Sequence, residues 1–447
     1  MAHHLPMNGA ILTRARQVFE EFRQACRADN GALWGVPLLA PVLLVDRETR
    51  EAVASQPDPE GHLRPEGAAF VGYVPSEIPI ANTVLDWAGM RWVMIMRQSL
   101  PDHSRAAVRL LAHEAFHCVQ EQLGFPWPDT TEINAHLDDL EGRYWLQLEW
   151  SALAKALSAS GEPRRRAVAD ALLFRRVRRA LYPHAAVEER VMEMHEGLAE
   201  YTGVKFAGLA EPEVARETQD GPARFSSFVQ SFAYVSGPAY GLLLDAADEG
   251  WRAELTPSRD LGCLLQDALG VEIPAEPRRI TFRRARAYRG AELRKRERAR
   301  RKRREAGLAS YRARLVQGPV LVLPLAGGVR YSYDPAQLVP LGEEGTVFPT
   351  ILLTAPWGTL EVTEAGILVD PGWQTARVSV PTVVREDQTA GEGWRLDLAP
   401  GWRVRPAQPP GHWELAREEL PREPGHPLWR VRAGSGRGFG RPRRSRA

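Results

Sequence analysis

Apolar residues recur at helical spacing through most of the first 280 positions of this 447-residue chain. Spacings of three and four place apolar side chains on one face of a helix, whereas strict alternation is typical of a strand. The predicted helices are Ile11–Asn30, Ser104–Gly124, Thr131–Ser160, Pro163–Leu181, Ala186–Tyr201 and Phe225–Ala246. We expect Asp102 or Ser104 to cap the second helix, and Gly203 to end the fifth. Gly237-Pro238 is expected to begin or break the last one.

Short apolar runs before residue 100 predict a small, mostly antiparallel sheet. Val36–Val45 and Ala52–Ala54 flank the polar run Asp46-Arg47-Glu48-Thr49, which predicts a β-hairpin loosened by its prolines. Phe70–Val74 and Met90–Met96 are further strand candidates.

The pattern changes to short strands from Gly318 onward. Turn residues separate these strands at intervals of roughly 8–12 residues, which is typical of a small sandwich or barrel. The predicted strands are Val320–Pro324, Val329–Tyr333, Thr350–Thr354, Leu360–Thr363, Gly366–Val369 and Trp394–Leu398. The chain after Pro421 is rich in Gly, Arg and Pro, and we expect it to be disordered.

These patterns together predict an α+β protein that is mainly helical, with a small N-terminal antiparallel sheet and a C-terminal all-β domain. The expected segments are an N-terminal helix and sheet (1–100), a helical core (101–277), a basic linker helix (278–316), a β domain (317–420) and a disordered basic tail (421–447).

The composition is that of a soluble globular protein, with 44% apolar and 26% charged residues. No apolar run reaches the roughly 18 residues that span a bilayer, and residues 1–10 lack the apolar stretch of a signal peptide. We therefore expect no membrane span and, by default, a cytoplasmic location. Cys26, Cys118 and Cys263 are odd in number and scattered, which predicts neither a disulfide framework nor a thiolate zinc site.

The formal net charge of +2 hides a strong asymmetry. Residues 278–314 contain 17 Lys and Arg against three Glu, the chain from Arg430 adds seven Arg and no acid, and the remainder has a net charge of −19. The run Arg294–Arg304 predicts either a module that binds nucleic acid or an acidic partner, with any zinc structural, or a solvated helix that links domains. Only Tyr288 and Tyr311 flank the run, and its sparse apolar positions offer no dedicated core face, so we favour the linker.

The run with the clearest chemistry is His113-Glu114-Ala115-Phe116-His117. Two histidines four residues apart on a helix lie on one face and can share a metal ion, and the adjacent Glu is placed to act on a metal-bound water. The alternative is a pair of hydrogen-bonded histidines on an ordinary helix. Because this helix is apolar on more than one face, it should be buried, and buried histidines need partners. Burial therefore favours the metal site.

A catalytic zinc site uses three protein ligands, so a third ligand must come from another helix. The run His195-Glu196-Gly197-Leu198-Ala199-Glu200-Tyr201 offers Glu196, because the small residues after it would let its helix approach the first one closely. Glu200 lies one turn further on, where a carboxylate can accept the outer N–H of a ligating imidazole. By spacing alone, a solvated acidic helix face is an equally open interpretation.

The two motifs together resemble the gluzincin superfamily of zinc metallopeptidases, which includes thermolysin and the zinc aminopeptidases. Those enzymes combine His-Glu-x-x-His with a downstream helix that carries a Glu ligand, often within Asn-Glu-Gly-Phe-Ala, and here His195 replaces the Asn. The resemblance covers residues 102–245, about a third of the chain, and implies a zincin-like core that binds Zn²⁺. The residues it assigns are His113, His117 and Glu196 as zinc ligands, Glu114 as general base and Glu200 as the partner of a zinc histidine.

A third run, Tyr234-Val-Ser-Gly237, partly matches the Tyr-x-Lys-Gly of zinc aminopeptidases, whose Tyr helps to hold the oxyanion. Tyr240 is the alternative donor, and both tyrosines are equally compatible with core packing. The Gly-Met-Glu-Asn run that recognises a free N-terminus is absent, so the resemblance supports a peptidase rather than an aminopeptidase.

The expected function is therefore zinc-dependent hydrolysis of peptide bonds in a peptide or protein substrate. Related folds imply that Met90–Met96 is the sheet edge on which the substrate pairs. A non-catalytic pseudo-peptidase that keeps the metal remains an open alternative.

Overall fold

The computed structural model describes residues 8–126, 134–274, 277–334 and 337–417. It confirms the α+β class, with helices in the N-terminal and central regions and an all-β C-terminal region. The chain divides into two compact units, residues 1–301 and 302–447. The expected segments 1–100 and 101–277 both lie in the first unit, and the expected linker 278–316 contains the boundary. The tail predicted after Pro421 lies outside the described residues.

The helices occupy most of the first unit. They are α1 (Gly9–Asp29), α2 (Ser104–Val119), α3 (Leu140–Leu157), α4 (Gly161–Arg179), α5 (Ala185–Met192), α6 (Leu198–Phe206), α7 (Glu211–Arg224), α8 (Phe232–Ala247), α9 (Leu261–Leu269), α10 (Pro277–Ala285) and α11 (Gly290–Arg312). Short 3₁₀ helices cover Arg97–Ser99, Ala135–Asp138, Trp251–Glu254, Arg286–Tyr288 and Gly342–Glu344. Two stretches are π-helical, Glu193–Gly197 and Ala313–Gln317. We call the first of these the π segment.

The first unit also contains a six-stranded sheet. Its strands are β1 (Val42–Val45), β2 (Glu51–Ala54), β3 (Arg64–Glu66), β4 (Ala69–Tyr73), β5 (Thr83–Trp87) and β6 (Met90–Met96), in the spatial order β3-β4-β2-β1-β6-β5. The predicted hairpin is confirmed, since β1 pairs antiparallel with β2. The sheet is mixed rather than purely antiparallel, because β1 and β6 run parallel. Met90–Met96 is not an edge, because β5 covers it and is itself the edge strand.

Both faces of this sheet are buried at its central strands β1, β2 and β6. Val42 and Leu44 of β1 face a core shared with α1 and α2, whereas Leu43 and Val45 face a second apolar cluster. This division follows from the two-residue period of a strand. One face of the sheet therefore packs against α2, and β6 leads into α2 through only a short connection.

Helix α2 begins at Ser104 without a side-chain cap, which corrects the prediction for Asp102 and Ser104. The Ser104 hydroxyl instead donates to Glu21 Oε1 of α1, at 2.8 Å. A tertiary hydrogen bond has therefore replaced the local one. The buried positions of α2 include Leu111, Ala115 and both histidines, so the predicted burial of this helix is confirmed.

Helix α8 runs unbroken through Gly237-Pro238, contrary to the predicted interruption. A proline in a helix interior removes one backbone hydrogen bond and crowds the preceding turn. Here α8 is packed against α3, α6, α7, α9 and the π segment. This tertiary packing outweighs the local preference for a break.

The basic helix α11 is not simply a solvated linker. Its Glu297 is buried and accepts hydrogen bonds from Arg143 and Gln147 of α3. Arg294 pairs with Glu141 and lies over the ring of Tyr144. The side chains from residue 301 to 306 are exposed, as expected for a solvated helix. Ion pairs, rather than an apolar stripe, attach the first half of α11 to the first unit.

The second unit is a two-sheet β structure, as the regular spacing of short strands and turn residues predicted. Its strands are β7 (Val320–Pro324), β8 (Arg330–Tyr333), β9 (Val339–Pro340), β10 (Thr346–Phe348), β11 (Ile351–Ala355), β12 (Gly358–Val362), β13 (Ile367–Val369), β14 (Thr375–Ser379), β15 (Pro381–Val384), β16 (Gln388–Gly391), β17 (Trp394–Leu398), β18 (Trp402–Pro406) and β19 (Trp413–Arg417). The sheet orders are β18-β19-β7-β14-β13-β10-β9 and β15-β16-β17-β12-β11-β8. One apolar core contains residues from both sheets, such as Leu323 and Leu360. Within the described ranges, no helix combines the length and apolar character needed to cross a membrane.

Candidate metal centre

Helix α2 presents His113 and His117 on one buried face. Their Nε2 atoms lie 3.3 Å apart, and both side chains are almost completely shielded from solvent. The i, i+4 spacing brings the two rings together because residues four apart are neighbours on a helix surface. The predicted pairing of the two imidazoles is therefore present.

Glu196 completes a group of three potential ligands. Its Oε2 lies 3.3 Å from His113 Nε2 and 3.7 Å from His117 Nε2. A tetrahedral ion with bonds of about 2.0–2.1 Å holds its ligand atoms about 3.3–3.4 Å apart. The three donor atoms thus have nearly the spacing that such an ion requires, and they can hold a metal ion.

Two glycines allow the helices around this group to approach closely. A Cβ on Gly203 would lie 2.6 Å from the carbonyl oxygen of Arg109, so Gly203 lets α6 lie directly on α2 instead of ending the helix. Gly197, which we expected to face α2, packs on Gly237 of α8. Gly197 therefore allows a close approach, as its small size indicated, but to α8 rather than to α2.

Glu200 orients His113, as predicted from its position one turn after Glu196. His113 Nδ1 donates to Glu200 Oε2 at 2.9 Å, which leaves Nε2 facing the other ligands. Glu200 also accepts from Arg109 Nε at 2.9 Å, and Arg109 pairs with Glu217 of α7. Sequence reasoning missed Arg109 and Glu217, because their connection to the histidines exists only when α2, α6 and α7 are packed together.

Gln120 supports the second histidine, and it too was not among the residues expected at the site. Its Oε1 lies 2.7 Å from His117 Nδ1. Gln120 lies only three residues after His117 and is buried. A long polar side chain one turn after a ligand, on a helix expected to be buried, is the signal that could have identified it.

Two aromatic side chains border the ligand atoms. The Tyr234 hydroxyl donates to Glu196 Oε2 at 2.5 Å, and its ring stacks on His113 with centroids 5.4 Å apart. His195 stacks on His117, and its Nδ1 donates to Glu196 Oε1 at 3.0 Å. His195 therefore holds one oxygen of Glu196 while the other faces the histidines.

Glu114 lies beside this group with its carboxylate buried. Among the described residues, no side chain or backbone group hydrogen bonds to that carboxylate. Burial raises the pKa of Glu114, although the two neighbouring histidines oppose the increase. A buried acid without a protein partner suits a group that exchanges protons with a ligand.

The electrostatic field of the centre favours a cation. Burial lowers the pKa of His113, but hydrogen bonds to Glu196 and Glu200 outweigh this effect and raise the pKa to about 10. Burial raises the pKa of Glu196, yet its bonds to the histidines hold that pKa far below its usual range. The carboxylates therefore stabilise positive charge at the imidazoles, and a bound metal ion supplies such charge.

Tyr240, the alternative oxyanion donor, is occupied elsewhere. Its hydroxyl donates to Glu149 Oε1 at 2.7 Å, within a largely buried set of ion pairs. The charged members of this buried ion cluster are Glu149, Arg175, Arg178, Arg179, Glu189, Glu193 and Asp260. Tyr234, rather than Tyr240, is therefore the tyrosine at the candidate centre.

Comparison of the chain with protein-family models, with curated proteins and with solved structures found no match in any of the three. The chemistry of the centre therefore has to be inferred from its own side chains.

Proposed function

We propose that this protein is a zinc-dependent peptidase whose metal is held by His113, His117 and Glu196. The observation that carries the proposal is the spacing of the three donor atoms, which is close to the edge length of a zinc tetrahedron. Two imidazoles and one carboxylate are a donor set that suits zinc. Three protein ligands leave the fourth position for water, as in hydrolytic zinc sites.

The chain's own residues supply the proton transfers. Zn²⁺, when bound, would lower the pKa of a coordinated water and polarise the substrate carbonyl. Glu114 accepts a proton from the attacking water at its carboxylate and then donates it to the leaving amine nitrogen. The raised pKa of Glu114 assists the first transfer, because a more basic carboxylate accepts the proton of the water more readily. Tyr234, whose hydroxyl donates to Glu196 Oε2 in the structure, would instead donate that hydrogen to the oxyanion when substrate is bound.

The substrate strand would add to β5 rather than to β6. Strand β5 is the edge of the sheet in the first unit, and it contacts α2, which carries both histidines. An extended peptide can pair with the free backbone groups of such an edge. The substrate would thus still bind as an added strand, as the resemblance implies, but it would pair with Thr83–Trp87 instead of Met90–Met96.

The decisive experiment compares the wild-type protein with Glu114→Gln. The amide is isosteric but cannot accept the proton, so hydrolysis of a mixed peptide library should fall at least 100-fold. Zinc content should stay at about one ion per chain, because Glu114 is not a ligand. Metal analysis after dialysis and mass spectrometry of the library measure the two quantities.

Two outcomes would contradict the proposal in different ways. Folded wild-type protein without zinc would exclude the metal centre. Zinc-loaded wild-type protein without turnover on any peptide would identify the alternative, a pseudo-peptidase. Binding of nucleic acid is not favoured, because Arg294, Arg296 and Arg300 of the basic helix are engaged by groups of the first unit.

A further inference from the structure

Gln120 is a buried glutamine that contacts both halves of the candidate centre. Its Oε1 lies 2.7 Å from Nδ1 of His117 on α2. Its Nε2 lies 3.3 Å from the carbonyl oxygen of Met194 and 3.4 Å from that of His195. Both carbonyls belong to the π segment, which also carries Glu196. One amide group therefore joins one ligand to the backbone that presents another.

The two carbonyls determine which way this amide points. A carbonyl oxygen only accepts hydrogen bonds, so the NH₂ group of Gln120 must face the π segment and Oε1 must face His117. Because Oε1 is also only an acceptor, Nδ1 of His117 must carry the hydrogen. In the neutral ring, Nε2 is then unprotonated and is the atom available to a metal. The backbone of the π segment thus selects the tautomer of His117 through Gln120.

The π segment needs such support because it departs from regular helical geometry. π-Helical turns are rare and occur mostly as single-turn bulges in α-helices, frequently at functional sites. Glu193, three residues before Glu196, is held on the other side by Arg175, whose Nη1 donates to Glu193 Oε1 at 2.8 Å. Arg175 therefore anchors the start of the segment through Glu193, whereas Gln120 connects the segment to His117, one of the proposed ligands.

We propose that Gln120 is a positioning residue that couples His117 to the π segment and so sets the geometry of all three ligands. This inference rests on the proposed zinc site, but not on peptide hydrolysis. Glutamine is suited to the position because the oxygen of its amide accepts a hydrogen bond while the nitrogen donates hydrogen bonds. Glutamate would keep the acceptor for His117 but would place a second oxygen against two carbonyl oxygens.

The test compares Gln120→Met and Gln120→Glu with wild type. Gln120→Met keeps the length of the side chain and removes both hydrogen-bonding functions, so zinc should bind 10- to 100-fold more weakly, as for other groups that orient a metal ligand. Gln120→Glu should also bind zinc at least tenfold more weakly, because the donor to the π segment is lost. Competition with a chromophoric chelator gives the affinities. Visible absorption of the Co²⁺-loaded proteins reports the ligand geometry, which should change in both variants.

Gln147→Met is the matched control. Gln147 is an equally buried glutamine that donates to Arg143 and Glu297, away from the ligands. The Gln147→Met variant should have a lower free energy of unfolding when it is measured in chelator. Its zinc affinity and the spectrum of its cobalt-loaded form should match those of wild type.

Three results would overturn the coupling by Gln120. They are wild-type zinc affinity in Gln120→Met, wild-type affinity and spectrum in Gln120→Glu, and an equal loss of affinity in Gln147→Met. Wild-type protein that binds zinc but cleaves no peptide would contradict the proposed hydrolysis and leave this inference intact. Wild-type protein that binds no zinc would contradict both.

Discussion

At the scale of single residues, two carboxylates one helical turn apart have different tasks. Glu196 Oε2 faces both Nε2 atoms, whereas Glu200 Oε2 accepts from the far nitrogen of His113. Glu196→Ala removes one of the three proposed ligands and should release zinc during dialysis. Glu200→Ala leaves all ligands in place and should weaken zinc binding by about 10- to 100-fold. Metal analysis and chelator competition distinguish complete loss from weakened binding.

Glu213→Ala is a control variant that removes a carboxylate from α7 of the same unit. Glu213 pairs with Arg105 at the surface, and Glu213→Ala should leave zinc affinity unchanged. If Glu196→Ala and Glu200→Ala lost zinc to the same extent, Glu196 would not be the third ligand.

The residues that sequence could identify are those whose spacing along one helix already implies a shared task. His113 and His117 satisfy this condition, as do Glu196 and Glu200. Arg109 and Glu217 do not, since their connection to His113 passes through three helices. Tyr240 shows the opposite failure, because a polar aromatic residue near a glycine fitted the motif but is engaged by a buried carboxylate.

At the scale of secondary structure, the crossing of α8 and the π segment determines where Glu196 lies. A Cβ on Gly237 would lie only 2.3 Å from the carbonyl oxygen and 2.4 Å from the Cα of Gly197. Backbone cannot move aside as a flexible side chain does, so Gly237→Ala must push the two elements apart. We expect a loss of about 1–3 kcal/mol in the free energy of unfolding. We also expect weaker zinc binding, because Glu196 moves with the π segment.

Gly307→Ala is the control for the glycine substitution itself. Gly307 lies within α11, and no atom lies within 4 Å of the position its Cβ would take. Alanine there should raise stability by about 0.4–1 kcal/mol, because the unfolded chain loses freedom. Urea unfolding of both variants in chelator, with zinc affinities measured in parallel, tests the pair. Unchanged zinc affinity in Gly237→Ala would show that the crossing does not position Glu196.

Local pattern predicted most elements but not their departures from regular geometry. The fifth predicted helix is real, yet nothing in its apolar period reveals the π-helical turn at Glu193–Gly197, because tertiary contacts hold that turn. Strand β5 was missed because its side chains are only half-buried, and because Ala88-Gly89, with both φ values positive, forms its turn to β6. The usual Asn-Gly or Asp-Gly signal of such a turn is absent.

At the scale of the whole molecule, charge rather than apolar area attaches the basic helix to the first unit. Arg143 is buried against Glu297 of α11, and Gln147 donates to the same carboxylate. Removing one partner of a buried pair leaves an uncompensated charge and costs about 3–5 kcal/mol. The start of α11 therefore belongs to the structural support of the first unit, although its composition suggested a linker.

Two truncations separate the contribution of α11 from that of the β structure. A chain that ends at Arg304 keeps Glu297 and every side chain named at the candidate metal centre, so it should bind zinc with wild-type affinity. A chain that ends at Ala285 leaves Arg143 and Gln147 without Glu297, and its melting temperature should fall clearly below that of the longer fragment. Thermal unfolding with and without chelator compares the two. Weaker zinc binding by the longer fragment would mean that residues beyond 304 contribute to the centre.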